Sequence, residues 1–333
     1  MQHHGGVRRL VALIALALLA AAPTAAEAGW RDVPDPSAQP DVTATTTRER
    51  IGPTTVVRSW YDTWNGHRRE LRIAVPTAAL AAGRPVALLV TARPAGLSLL
   101  CTDETMRLAG RSGFALACPS GQGVVTRSFS YGAAGQISDL ARMPGIVAER
   151  IPDLRINRAR TYLAGSSMGG TEVLLVALRY PRAYARVASL DPITDQGLRF
   201  ASLPLERRLL LQAECGGPPV LQPGCYATRS PQTHVGRGAT AGSIALWYST
   251  RDPVSGEPRQ VPRFAEAMAE RGARGFAVRV GRWGHGALWG RAPMRRAWMR
   301  DLGLPVSVPV ELPFAWKRLD ADDGRLVAAR RGA

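Results

Sequence analysis

Gly165-Ser166-Ser167-Met168-Gly169 fits the pattern G-x-S-x-G in one frame only, and that frame singles out Ser167. Ser166 would need glycines at positions 164 and 168, where alanine and methionine stand. The pattern works through geometry: a strand enters a tight turn, the serine takes up strained dihedrals, and small residues on both sides let strand and helix approach closely. The hydroxyl then stands at a sheet edge beside a helix N-terminus, where the Met168 N–H points at a developing oxyanion. The plain alternative is a glycine-rich turn with no chemistry. Against it stand the apolar strand Thr161 to Ala164 before the turn and the amphipathic helix Met168 to Tyr180 after it, the context that such a nucleophile requires.

A serine hydroxyl is a poor nucleophile near neutral pH and needs a base. Downstream of the N-terminal segment the histidines are His67, His234 and His285. Strand-turn-helix elbows of this kind place nucleophile, acid and histidine in that order along the chain, so His67 comes too early. His234 lies in the irregular stretch Ser230-Pro-Gln-Thr-His234, whereas His285 sits in Trp283-Gly-His-Gly286, a glycine-flanked loop just past a strand. His285 is the expected base. The acid should follow a strand between the two, to hold the imidazole in one tautomer and stabilise its protonated form. Asp252 directly follows the strand Ile244 to Tyr248 and is the first choice; Asp191, after the strand Val187 to Leu190, is the runner-up, with Asp195 behind it. Carboxylates in such places also serve as helix caps, a role open to each of the three. A second oxyanion donor is expected from the loop after the strand ending at Thr91, as the backbone N–H of Arg93 or Ala92; Pro94 has none to give, and the loop lacks a His-Gly-Gly run. No metal or organic cofactor is required by this chemistry.

The elements that must position these residues alternate along the chain. Thr55 to Thr63 and Arg69 to Val75 read as a hairpin turning at Asn65-Gly66. Pro85 to Thr91 and Phe114 to Pro119 are continuous apolar runs, the pattern of strands buried on both faces. Helices are expected at Ser98 to Ala109, Ser138 to Arg150, Gln260 to Arg271 and Ala292 to Leu302, with Ser138 or Asp139 capping the second and Pro144-Gly145 kinking or breaking it. A further strand is expected at Phe276 to Val280. Strand and helix alternating at this spacing imply an α/β fold with a mainly parallel central sheet flanked by helices. Residues 193–242 break the rhythm with Gly216-Gly217-Pro218-Pro219 and few periodic segments, and read as a small cap or insertion over the strand ends. The main domain is expected over 53–310, with a loosely packed tail over 311–333.

Residues 1–28 read as an export signal: Arg8 and Arg9, an apolar run of 13 residues from Leu10 to Ala22, and Ala26-Glu27-Ala28 as the recognition site for cleavage after Ala28. The run is short of the ~20 residues needed to span a bilayer, so a secreted protein is expected and no membrane span. Residues 29–52, with Pro34, Pro36 and Pro40, read as a flexible leader. The formal charge of +17 invites a nucleic-acid reading, but the arginines are scattered, Lys317 is the only lysine and no basic stripe interleaves with aromatics, so no specific nucleic-acid partner is expected. The four cysteines suit an oxidising compartment; of three connectivities the sequence-local pairs Cys101 with Cys118 and Cys215 with Cys225 are favoured, and the absence of a CxxC pair argues against a metal site.

Gly165-Ser-Ser-Met-Gly-Gly170, Ala177-Leu-Arg-Tyr-Pro181, Leu190-Asp-Pro-Ile-Thr-Asp195, Ser249-Thr-Arg-Asp252 and Gly284-His-Gly286 together resemble the secreted bacterial α/β-hydrolases of the esterase and prolyl oligopeptidase type, across about residues 53 to 305. The resemblance implies an α/β-hydrolase fold and a triad of Ser167, His285 and Asp252 acting through an acyl-enzyme. The roughly 24 residues between the expected cleavage site and the first strand leave no room for a β-propeller, which favours a small or polymeric ester over a peptide as substrate. A prolyl oligopeptidase-like peptidase, an acyltransferase and a non-catalytic binding protein of the same fold are the alternatives. The intact Ser, Asp and His set argues against the last.

Overall fold

The computed structural model describes residues 46–95, 101–126, 129–240, 243–254, 259–273, 275–307, 316–319 and 326–328. The expected export signal, and the leader up to residue 45, lie outside them. Strand β1 (Thr47–Ile51) falls within the stretch expected to be leader and pairs antiparallel with β2 (Thr54–Asp62). The hairpin of β2 with β3 (Arg68–Pro76) forms where Asn65-Gly66 predicts it, with Gly66 at φ +83°. A short helix α1 (Thr77–Ala81) leads into β4 (Val86–Ala92), buried along its whole length. Helix α2 (Asp103–Ser112), β5 (Phe114–Pro119), α3 (Ala134–Arg150), β6 (Ile156–Ser166), α4 (Met168–Arg179) and β7 (Arg186–Leu190) continue the alternation. After the insertion come β8 (Ser243–Ser249), a helix at Gln260–Glu270, β9 (Phe276–Gly281), and helices at Ala287–Gly290 and Ala292–Asp301.

One mixed sheet results, in the order β1-β2-β3-β5-β4-β6-β7-β8-β9, extended by two more strands beyond β9. From β5 to β9 every neighbouring pair is parallel, so the turns that follow β4, β6, β7, β8 and β9 gather at one edge. Alternation along each strand feeds two cores. On one face Leu88, Val90, Leu163 and Ile244 pack against Ile137 and Leu140 of α3, Val173 and Leu174 of α4, and Phe264 and Met268 of the Gln260–Glu270 helix. On the other, Leu89, Leu116 and Trp247 meet Met106 of α2 and Trp298 and Leu302 near the C-terminal helix. Each such aliphatic or aromatic side chain contributes about 1.5–3 kcal/mol on burial, which anchors the strand ends that carry the candidate site residues.

Three expectations need correction. Helix α3 starts at Ala134 and runs through Pro144 unbroken, and neither Ser138 nor Asp139 caps it. The proline lies on the half-exposed side, while Leu140, Met143, Ile146 and Val147 hold the other side in the core, and that burial outweighs the ~3 kcal/mol of an interior proline. Asp139 instead accepts the Trp64 N–H at 3.0 Å and pairs with Arg142 at 2.7 Å. The insertion is helical where few periodic segments are legible: α5 (Gln196–Ser202), α6 (Leu205–Cys215), α7 (Pro223–Thr228) and a 3-10 helix over Pro231–Thr240. The presumed loose tail holds two short antiparallel strands, Trp316–Leu319 and Leu326–Ala328, that extend the sheet from β9. Both disulfides join as read from the sequence, with Cα separations of 5.9 Å for Cys101–Cys118 and 5.6 Å for Cys215–Cys225. No helix among the described residues is long and apolar enough to cross a membrane.

Candidate active site

Between β6 and α4 the chain turns within a single residue. Ser167 sits at φ 58°, ψ −121°, a region that non-glycine residues rarely adopt, and its N–H is tied to Leu190 O of the neighbouring β7 at 2.9 Å. Two glycines make the turn possible. A Cβ at Gly165 would stand 2.4 Å from Gly169 O, and one at Gly169 would stand 2.3 Å from Ala92 O, so the elbow is in contact with its own helix and with the end of β4. Met168 begins α4, and its N–H is one of the first four that no helix carbonyl can accept. Ser166 is the last residue of β6, with its hydroxyl buried and without a partner, so it has the interior place that the reading frame implies.

Asp252 and His285 come together as expected. His285 Nδ1 and Asp252 Oδ2 are 2.7 Å apart, the carboxylate side chain 1% exposed and the imidazole 20%. The other oxygen of Asp252 accepts the Val254 N–H at 2.8 Å. An acid on Nδ1 keeps the proton there and leaves Nε2 as the acceptor. The two loops are clamped to each other: Ser249 Oγ donates to Trp283 O at 2.6 Å and accepts the Trp283 N–H at 2.9 Å. Ser167 stands on the same edge, at the end of β6, and its hydroxyl makes no hydrogen bond to His285 among the described residues.

Asp191 is the third member of the cluster, since one oxygen of it lies within 4.8 Å of ligand atoms of both Asp252 and His285. It does not bond the imidazole. Its carboxylate accepts Trp283 Nε1–H at 3.0 Å and the Ser249 N–H at 3.1 Å, and its own backbone sits at φ 45°. Burial pushes its carboxyl up to about 7, opposed by the Trp283 hydrogen bond and reinforced by the Asp252 charge. The runner-up acid therefore holds in place the loop that carries His285. Asp195 is a helix cap, accepting the Leu198 N–H at 3.0 Å. Among the described residues these three side chains are also the one group spaced to hold a metal ion, but their oxygens already accept Val254, Trp283 and Ser249 N–H groups and face the imidazole.

Facing the elbow, the Ala92-Arg93 backbone lies against the first turn of α4, in register with β6 through the pair Ala92↔Gly165. The Arg93 side chain is buried, and burial, with Arg69 adding repulsion, lowers its guanidinium to about 10, while Glu172 and Tyr61 pull it back. Glu172, one turn beyond Ser167 on α4, is wholly buried and accepts from Ser130 Oγ and, at 3.5 Å, from Gln136 Nε2. Burial pushes its carboxyl up to about 7, and Ser130 and Arg93 counter this. Sequence reasoning misses this pair; a lone acid inside the apolar run Met168 to Leu178 is the signal that marks it. Over the elbow, Met168 packs with Tyr131 and with Leu203, Leu211, Cys215 and Tyr226 of the insertion. Glu214 of the same insertion accepts the N–H groups of Val124, Val125 and Thr126 at 2.7–2.8 Å, which ties it to the loop after β5.

Residues 140–302 match the Esterase family model, a span that includes the elbow, the Asp252 loop and His285. Among solved structures, the fold is similar to dipeptidyl peptidase 4 of Porphyromonas gingivalis (TM-score 0.58, 14% identity, 76% of this chain and 35% of that one). It is also similar to a bacterial brefeldin A esterase described as a homologue of human hormone sensitive lipase (TM-score 0.55, 18% identity, 75% and 76%). A third is a fluorophosphonate-binding serine hydrolase of Staphylococcus aureus (TM-score 0.57, 15% identity, 74% and 99%). The chain spans about a third of the length of the dipeptidyl peptidase. No curated protein matches the sequence. The fold is that of the α/β-hydrolases. Over residues 140–302 the sequence is thus similar to esterases, and in fold the chain is similar to esterases and serine hydrolases.

Proposed function

We propose that the protein is a secreted serine hydrolase that cleaves a small or polymeric carboxylic ester through a triad of Ser167, His285 and Asp252. The observation that carries this reading is the 2.7 Å bond between a buried Asp252 and an accessible His285, on the sheet edge where Ser167 is held in a strained turn. His285 Nε2 takes the proton as Ser167 Oγ attacks the ester carbonyl, and Asp252 stabilises the imidazolium. The Met168 N–H and the backbone N–H of Arg93 receive the oxyanion. The protonated imidazole then gives its proton to the departing alcohol, leaving an acyl-serine that water attacks by the reverse proton path. Two disulfides and the expected export signal support an extracellular site of action.

The esterase reading rests on the family match, and the similarity to a dipeptidyl peptidase favours the second reading, a peptidase using the same acyl-enzyme. Turnover of p-nitrophenyl acetate through octanoate against aminoacyl and prolyl p-nitroanilides separates the two. Esters are expected to give the higher kcat/KM; faster turnover of the anilides would reverse the assignment. Product analysis with added alcohol reads acyl transfer, and a transfer product exceeding the free acid would make the protein an acyltransferase.

A further inference from the structure

Among the described residues, four arginines are at most 6% exposed: Arg93, Arg199, Arg229 and Arg295. Arg229 pairs with Glu214 and donates to two backbone carbonyls, Ser130 O and Glu214 O. Arg295 pairs with Glu104 at 2.8 Å and donates to Trp289 O. Arg93 lies in the field of Glu172. Arg199, on α5, differs from all of them in that no carboxylate pairs with it: its guanidinium makes one hydrogen bond, from Nη1 to Ser202 Oγ at 2.9 Å, and its Nε, like that of Arg295, is buried with no partner. A guanidinium has five donors and cannot shed its charge, so burying it on one neutral bond is unfavourable unless something else receives the rest.

Gln196 repeats the anomaly. It is 1% exposed, and neither its amide nitrogen nor its amide oxygen has a partner. Three residues apart on one helix, Gln196 and Arg199 share a face. The helix is pinned beside the nucleophile: Ile193, just before it, exchanges hydrogen bonds of 2.8 and 2.9 Å with Thr171 Oγ1, one turn past Ser167, and Gln260 Oε1 accepts the N–H groups of Thr194 and Asp195. The charged group whose field most favours the Arg199 guanidinium is Asp252 itself, followed by Tyr131, which packs on Met168.

We infer that Arg199, with Gln196, receives a carboxylate carried by the substrate, so that the preferred ester is anionic. This rests on the esterase reading above. A planar fork of N–H donors matches a carboxylate in two parallel bonds, and the guanidinium N–H groups not given to Ser202 supply them, with the Gln196 amide on the same helix face. The carboxylate could sit on the acyl side or on the leaving group of the ester. The alternative role for Arg199, lending its charge to Asp252 alone, would act on neutral and anionic substrates equally.

Two pairs of esters test this: mono-p-nitrophenyl glutarate, with the carboxylate on the acyl side, against p-nitrophenyl valerate, and 4-carboxyphenyl valerate, with it on the leaving group, against phenyl valerate. Wild-type enzyme is expected to prefer one anionic ester over its neutral counterpart by about tenfold or more, and the favoured arm identifies the side. In Arg199→Met, kcat/KM for that ester should fall about 30-fold, the weight of one hydrogen bond to a charged group, while the neutral ester changes by less than about threefold. Arg199→Lys should recover part of the loss. Equal losses on both substrates, or no charge preference in the wild type, would overturn the inference. Should Arg199→Met fail to fold, protection of wild-type enzyme and Arg199→Lys against fluorophosphonate labelling by glutarate gives the same reading: protection is expected in the wild type and weaker in the lysine variant, and none in the wild type overturns it. Folded wild-type protein that turns over none of the esters would sink the esterase reading instead, while glutarate protection would still report on the anion site.

Discussion

Gly169→Ala tests the contact between the elbow and the loop that follows β4. The added Cβ would stand 2.3 Å from Ala92 O and 2.7 Å from both Ala92 C and Arg93 O, all backbone atoms. Carbon contacts settle near 3.5 Å, so the two segments must part by about 1 Å. Neither can yield alone: Ala92 is held in register with Gly165, and Ser167 is held to Leu190. Opening that joint costs about 1–3 kcal/mol of stability and moves the Arg93 N–H relative to the Met168 N–H. A displacement of that size at a reacting centre lowers rate by about 100-fold, and it should act on kcat more than on KM because the oxyanion exists only past the ground state. Gly145→Ala is the control. It lies in α3 with open space around the added carbon and should raise stability by about 0.5–1 kcal/mol with no kinetic effect. Thermal unfolding and ester kinetics on both variants give the answer. Gly169→Ala with unchanged Tm and unchanged kcat would refute the proposed close joint and the oxyanion assignment built on it.

The remaining expectations concern acids, pH and the cap. Asp252→Asn should lower kcat about 10,000-fold by fixing the wrong imidazole tautomer, whereas Asp191→Asn, whose amide oxygen can still accept from Trp283 or Ser249, should cost about tenfold; stopped-flow ester kinetics rank them, and the reverse order would move the acid to Asp191. Asp191 and Glu172 are both raised to about 7, so the folded chain keeps two protons that the unfolded chain releases from about pH 4 upward. Keeping them protonated costs nothing at low pH and destabilises the folded chain as pH rises from about 4 to 7, by a few kcal/mol together, so Asp191→Asn with Glu172→Gln should flatten the Tm profile between about pH 4 and 7; an unchanged slope would count against the two buried carboxyls. Replacing Cys215 and Cys225 with serine removes a cross-link with a sequence separation of 10 and should lower stability by about 3 kcal/mol with KM rising more than kcat falls, as measured by denaturant unfolding and steady-state kinetics.

Much of this site is legible because its parts obey local rules. Ser167 is fixed by the reading frame of its glycines, and His285 and Asp252 by chain order and by the apolar strands β9 and β8 that precede them. Continuous apolar runs such as Val86–Ala92 mark strands covered on both faces, and these set the edge where the loops meet. What escapes the sequence depends on contacts between distant residues. Pro144 signals a break that the buried face of α3 overrides, and the insertion hides α6 because Leu205 and Leu209 are exposed, at 64% and 55%, and blur the helical period. The strands at Trp316–Leu319 and Leu326–Ala328 are short and become strands only by pairing beyond β9. Asp191 reads as a second acid from position alone, and only the bonds from Trp283 and Ser249 turn it into a support for the His285 loop. Arg199 has no motif at all; it stands out because every other described arginine buried as deeply lies beside a carboxylate or carbonyl oxygen.

The central claim is that Ser167, not Ser166, forms the covalent intermediate. Labelling the folded protein with a fluorophosphonate, with mass spectrometry of the peptide that carries the adduct, addresses it most directly. Modification of Ser167 is expected in the wild type and in Ser166→Ala, with loss of labelling in Ser167→Ala and in His285→Ala. An adduct that persists at full rate in Ser167→Ala would contradict the account.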